Sequence, residues 1–228
     1  MDLFDRLTEV AHADWTAYAE HEFVRRMGAG TLPATAFRAY LEQDYLFLIQ
    51  FARANALAIT KSRTLADMRA AHDALKAILD VELSLHVRLC AGWGVTAEAL
   101  EAASEHTTTL AYTRFVLDCG QSGDLLDLNV ALAPCVIGYA EIAARLAPSV
   151  TPDHPYREWI AEYAGDAYQT VAARARAHLD HLAERSLTIA RLGEVENIFS
   201  AACRLEAEFW QMGIDRSNAL DKAESAQM

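Results

Sequence analysis

Apolar residues recur at three- and four-residue spacing almost without interruption, and this restricts the chain to packed α-helices. Only 5 prolines and 10 glycines punctuate 228 residues. Strict alternation of apolar and polar residues, the mark of a half-buried strand, does not occur over any useful length. The first expected helix covers residues 2–27, with Leu3, Leu7, Val10, Trp15, Tyr18 and Phe23 on one broad stripe, and Gly28 and Gly30 end it. Pro33 lies in the first turn of the next, which reaches about residue 62. A third covers 65–91 and stops before Gly92-Trp93-Gly94, and Thr96 caps a short helix to about residue 102. Further helices are expected over 104–120, from an Asp124 cap to the residue before Pro148, over 156–164, over 165–185 and over 186–214. The spacing therefore predicts an all-α bundle of roughly eight helices, one domain over residues 1–215, with 216–228 a frayed tail.

Charge and cysteine usage exclude several function classes. The formal net charge is -12, with acidic side chains spread along the chain, which is unlike the clustered Lys and Arg of a nucleic-acid-binding surface. The N-terminal Met1-Asp-Leu-Phe-Asp lacks the basic and apolar regions of a signal peptide, and no uncharged apolar run of 18 residues suggests a membrane span. Cys90, Cys119, Cys135 and Cys203 show no CxxC or zinc-type spacing, so they are expected as single thiols in a reducing cytoplasm. No GxGxxG, Walker loop, GxSxG or HExxH is present.

Three local patterns can carry chemistry. The first is Ala131-Leu-Ala-Pro134-Cys135-Val-Ile-Gly138-Tyr139. Proline inside a helix deletes a backbone hydrogen bond, here to the Val130 carbonyl, and bends the axis. Gly138 removes bulk near the thiol and Tyr139 lies one turn above it, so the segment reads either as a thiol pocket or as a small buried residue in a kinked core helix. The second is Asp44: Tyr40, Asp44, Phe47 and Phe51 share one helix face by their spacing. A carboxylate on an aromatic face awaits an amine-like ligand or is satisfied by a tyrosine, an arginine or a helix N-terminus. The third is Glu206, in a stripe with Phe199, Ala202 and Phe209, whereas Glu208 points about 200° away. A carboxyl among aromatics suits proton transfer, and a salt bridge to Arg204 is the alternative. Tyr112, Tyr139 and Tyr163 sit on three different helices, and periodicity does not say whether they converge. A di-iron site would draw on Glu82 with His86, Glu141, and His178 with His181, but the usual Glu-x-x-His spacing is absent.

In order and spacing these pieces resemble the TenA family, the thiaminase II or aminopyrimidine aminohydrolase group, over roughly residues 2–215. The carriers are Tyr40-Leu-Glu-Gln-Asp44-Tyr-Leu-Phe47, Ala111-Tyr112-Thr113, Pro134-Cys135-x-x-Gly138-Tyr139, Pro155-Tyr-Arg-Glu-Trp159-Ile-x-x-Tyr163 and Glu206-x-x-Phe209-Trp210. The resemblance implies a haem-oxygenase-like helical fold, a homotetramer, and catalysis without metal or organic cofactor. It implies hydrolysis of 4-amino-5-aminomethyl-2-methylpyrimidine to the 5-hydroxymethyl compound, with thiamin cleavage as the related activity. By the same resemblance Cys135 is the nucleophile, Glu206 the proton donor and acceptor, and Asp44 the holder of the ring and its exocyclic amine. Phe47, Tyr112, Tyr139, Tyr163 and Phe209 then line the pocket. Phe47 replaces a commoner tyrosine, Leu205 another, and Gln211 stands where aspartate is common. The cysteine places the chain in the cysteine-bearing branch. Two other readings are a di-iron oxidase of the same fold and a pyrimidine-binding protein without turnover.

Overall fold

The computed structural model describes residues 2–92 and 94–225; Trp93, at the break after the third expected helix, lies outside them. Thirteen α-helices and no strand occur among the described residues. The backbone divides into two compact units, one of residues 1–32 and 129–210, the other of 33–128 and 211–228.

In the first unit the single expected N-terminal helix is three: α1 Leu3–Val10, α2 His12–Ala19 and α3 Glu22–Gly28. Ala11 and Glu20 leave helical geometry, and the His21 ring accepts the Phe23 N–H at 3.2 Å, restarting the helix as an N-cap. Periodicity carries through such breaks because the buried stripe resumes, with Leu3, Leu7, Tyr18 and Phe23 inside; Val10, expected on that stripe, is exposed. α10 (Tyr139–Leu146), α11 (Arg157–Ala164) and α12 (Asp166–Ser186) pack together, and α1 lies on α12. Arg176 of α12 ties down the chain start, bonding Asp2 at 2.8 Å, Glu141 at 2.9 Å and Asp5, with its guanidinium 4.7 Å from the Phe4 ring centre. Three carboxylates on one half-buried fork suit a bidentate, planar cation better than a lysine.

The second unit is organised on α4 (Ala34–Lys61), whose buried residues occupy most of its circumference, as expected of a helix packed on several sides. It packs on α5 (Leu65–Ala77), α6 (Leu83–Ala91), α7 (Ala97–Ala102) and α8 (Thr107–Ser122). The buried Gln43 amide joins α4 to the turn between α7 and α8: its nitrogen donates to the Ser104 carbonyl at 3.0 Å, and its oxygen accepts from His106 N–H and Thr109 Oγ1 at 2.7 Å each. Lys61 caps the C-terminus of α8 on the carbonyls of Gln121 and Gly123, where the helix dipole favours a cation. The expected helix over 65–91 is divided by a π turn, Ile78–Glu82, between α5 and α6. Thr96 and Asp124 cap as expected, accepting Ala99 N–H and the N–H groups of Leu126 and Asp127.

α9 (Leu125–Ala133), a second π turn (Pro134–Gly138), α10 and a short 3₁₀ turn make one continuous helical run over 125–149. By length and composition this run is apolar enough to cross a membrane, which the sequence reading did not allow for. Much of it is buried inside the protein, as in the core helix of a globular protein, and it carries Asp127, Glu141 and Arg145. α13 (Leu192–Ser225) follows a 3₁₀ turn and extends beyond residue 214, where the sequence reading ended it; residues 226–228 lie outside the described residues.

Candidate active site

Cys135 sits inside the π turn. Pro134 has no N–H and its ring crowds the preceding turn. The helix absorbs this by widening over one turn, a form that recurs at functional sites. The carbonyls loosened by that widening are taken by side chains: Tyr18 Oη donates to the Pro134 carbonyl at 3.0 Å and Tyr168 Oη to that of Cys135 at 3.4 Å. The Cys135 thiol donates to the Leu132 carbonyl at 3.1 Å. Gly138 serves a different neighbour from the one its position suggested. A Cβ there would lie 2.8 Å from Cε1 and Oη of Tyr18, so the missing side chain makes room for the phenol that supports the turn. Gly138→Ala is expected to cost about 1–3 kcal/mol through overpacking. It should also lower turnover by displacing Tyr18; urea denaturation and steady-state assays check both.

Glu206 is 1% exposed on α13, in the stripe with Phe199, Ala202 and Phe209, all of them buried. Glu208 faces solvent. Arg204, its alternative partner by sequence, is exposed and bonds Asp14 at 2.9 Å and Ser200 at 2.8 Å. Tyr18, whose hydroxyl holds the cysteine turn, is fully buried. Burial above all raises its phenol well above the ordinary range, and negative charge on Glu206, Cys135 and Cys203 raises it further. Aromatic rings cluster in the same unit. The Tyr139 ring is 5.3 Å from Tyr163, 5.3 Å from Trp210 and 5.7 Å from Trp159, and Tyr163 is 4.7 Å from Tyr168. Tyr139 and Tyr163 therefore do converge.

The other cysteines are held as thiols. Burial pushes Cys90 and Cys119 up to about 11, and Cys203 far higher.

In the second unit, Asp44 is 4% exposed and its Oδ2 accepts from Tyr40 Oη at 2.9 Å. The tyrosine alternative is therefore realised, together with a partner the sequence did not suggest: His86 Nε2 lies 2.6 Å from the same oxygen. Burial by itself lowers the pKa of His86, but the Asp44 charge and hydrogen bond outweigh it and the imidazole is raised. Phe47 packs 4.9 Å from Tyr112 and 6.0 Å from Phe51, beside Asp44 on the same face of α4. Tyr112 is 1% exposed.

The candidate metal ligands have other employment. His86 serves Asp44, with its Nδ1 on the Glu82 backbone carbonyl at 2.9 Å. Glu141 serves Arg176, and His181 lies 3.3 Å from Arg185. No group of three or more His, Cys, Asp or Glu side chains placed to hold a metal occurs among the described residues.

Two residues of these clusters escaped the sequence reading as functional groups. Tyr18 read as one apolar position of a stripe, because the glycine that makes room for it lies far along the chain. His86 read as half of a Glu-x-x-x-His pair, although it turns to α4 instead.

A model of the TENA/THI-4/PQQC family matches residues 10–216. The chain is 40% identical to an aminopyrimidine aminohydrolase of Halalkalibacterium halodurans, over 90% of this chain and 92% of that one. It is 30% identical to an aminopyrimidine aminohydrolase of Helicobacter pylori, over 93% and 98%. Among solved structures, a TenA family transcription regulator from a Silicibacter species matches with a TM-score of 0.88 and 46% identity, over 92% of this chain and 95% of that one. The all-helical, haem-oxygenase-like fold is common to these proteins and this one. With a family model matching nearly its whole length and relatives matched end to end, the chain belongs to the TENA/THI-4/PQQC family.

Proposed function

We propose that the protein is an aminopyrimidine aminohydrolase of thiamin salvage. It hydrolyses 4-amino-5-aminomethyl-2-methylpyrimidine to the 5-hydroxymethyl compound and ammonia, and cleaves thiamin in the related reaction. The observation that carries this reading is the buried Cys135 in a π turn held by Tyr18, in the same compact unit as the buried Glu206 and a cluster of aromatic rings. The aminopyrimidine aminohydrolases matched over nearly their full length support the same chemistry.

Direct displacement at the 5-methylene carbon by water is slow, and a thiolate opens an easier route. The Cys135 sulfur adds to the pyrimidine ring while Glu206 delivers a proton to a ring nitrogen. The electron pair so placed in the ring expels the protonated 5-amino group as ammonia and leaves an exocyclic methylene. Water adds to that methylene carbon and gives up its second proton to the departing ammonia, Glu206 takes back the ring proton, and the carbon–sulfur bond breaks to restore the aromatic ring. One water is consumed and one ammonia released. By the family resemblance, Asp44 is assigned to the 4-amino group, and Phe47, Tyr112, Tyr139, Tyr163 and Phe209 to orienting the ring. No metal or organic cofactor has a step in this scheme. The protein works as a homotetramer in the cytoplasm, in keeping with four thiols and no disulfide among the described residues.

The test is product analysis by mass-resolved chromatography, with ammonia measured in parallel, for the aminomethylpyrimidine and for thiamin. Equal amounts of hydroxymethylpyrimidine and ammonia are expected from the first substrate. Tight pyrimidine binding with no product from either would instead indicate a binding protein of the same family.

A further inference from the structure

His86 is buried completely, and each of its ring nitrogens meets one partner. The Glu82 backbone carbonyl, 2.9 Å from Nδ1, accepts only, so Nδ1 carries a hydrogen. At 2.6 Å, Nε2 and Asp44 Oδ2 also have a hydrogen between them, because neither two lone pairs nor two N–H and O–H bonds fit that separation. One proton is therefore shared by imidazole and carboxyl, and the pair is neutral wherever that proton rests. Tyr40 adds a second donor to the same oxygen. Oδ2 is thus occupied twice, whereas no hydrogen bond reaches Oδ1 from the described residues.

We propose that His86 is a positioning residue: anchored on the Glu82 carbonyl, it fixes the Asp44 carboxyl through Oδ2 and leaves Oδ1 as the sole acceptor for an exocyclic N–H of a neutral aminopyrimidine. This rests on the function proposed above and adds to it the device that sets Asp44. Without the imidazole, a buried carboxylate would carry uncompensated charge and would select a cation or take up a proton. With it, the acceptor is presented in a neutral pair, so an uncharged amino group is the matching ligand.

The experiment compares wild type, His86→Gln and His86→Leu. Leucine removes both ring bonds. Glutamine keeps an N–H donor for Asp44 but shares no proton. His86→Leu is expected to raise KM for the aminomethylpyrimidine, and Kd for the hydroxymethylpyrimidine, by roughly 10- to 100-fold, the effect of losing one charge-assisted bond. Its kcat should change by less than about 3-fold, since the groups at the reacting atoms are untouched. His86→Gln should recover much of the binding. In wild type, both imidazole N–H protons should appear as protected NMR signals downfield of the amides, and the Nε2 signal should move in Asp44→Asn. Wild-type KM and Kd in His86→Leu, or equal losses in kcat and kcat/KM in both folded variants, would overturn the assignment while leaving the parent function standing. Should His86→Leu not fold, His86→Gln and the wild-type NMR signals decide; absence of any protected downfield proton between Nε2 and Asp44 overturns the shared proton. A wild type that binds without turning over still reports through Kd. A wild type that neither turns over nor binds the pyrimidine overturns the parent function and this inference together.

Discussion

Cys135→Ala is expected to lose at least about 10³-fold in kcat, with Kd for the hydroxymethylpyrimidine within about 3-fold of wild type. The loss is large because the sulfur makes and breaks the bond on which every later step depends. Binding survives because the proposed mechanism holds the ring by side chains other than the thiol. Folding should be little disturbed. The substitution removes one sulfur that bonds the Leu132 carbonyl one turn back, while the π turn itself is held by Tyr18 and Tyr168 on the carbonyls. No other cysteine stands ready to substitute, since burial keeps Cys90, Cys119 and Cys203 protonated far above neutral pH. Rapid-quench turnover and calorimetric titration of the same preparation measure the two quantities.

Glu206→Gln should lower kcat by about 10²- to 10⁴-fold, the range of general acid–base catalysis, with a smaller change in KM. Glutamine keeps the size and most hydrogen bonds of the side chain but moves no proton. Glu206 is 1% exposed and glutamine matches its size, so the folded structure should survive the substitution. A melting curve beside the kinetics separates lost turnover from unfolding. Glu208→Gln serves as the control: it lies on the solvent face of the same helix and should leave both rate and stability near wild type.

Much of the architecture was legible because helices bury stripes and the chain has few residues that could interrupt them. α4, α7 and α12 follow the expected spans closely, and the caps at Thr96 and Asp124 act through local hydrogen bonds that sequence encodes directly. The breaks at Ala11 and Glu20 were not legible. The apolar stripe resumes on the far side of each, and no proline or glycine marks them. The π turns have the same character: Pro134 signals a disturbed helix but not whether it bends or widens, and nothing in 78–82 signals one. Inward placement of Asp44 and Glu206 followed from helical spacing, as did the outward turn of Glu208. A tyrosine partner for Asp44 was also legible, but His86 at Asp44 and Tyr18 at the Cys135 turn were not, because they arrive through tertiary packing over 42 and 116 residues. Pattern places a residue on a face; packing decides what that face meets.

If a pyrimidine is processed on the Cys135 thiol, a bound pyrimidine will shield that thiol from alkylation. Wild-type protein is treated with iodoacetamide, with and without saturating hydroxymethylpyrimidine, and modification at each cysteine is followed by peptide mass mapping alongside activity. Activity is expected to fall in step with one alkyl group at Cys135, and the pyrimidine to protect both. Full activity in protein alkylated at Cys135, or alkylation of that residue at the same rate with the pyrimidine bound, would contradict it.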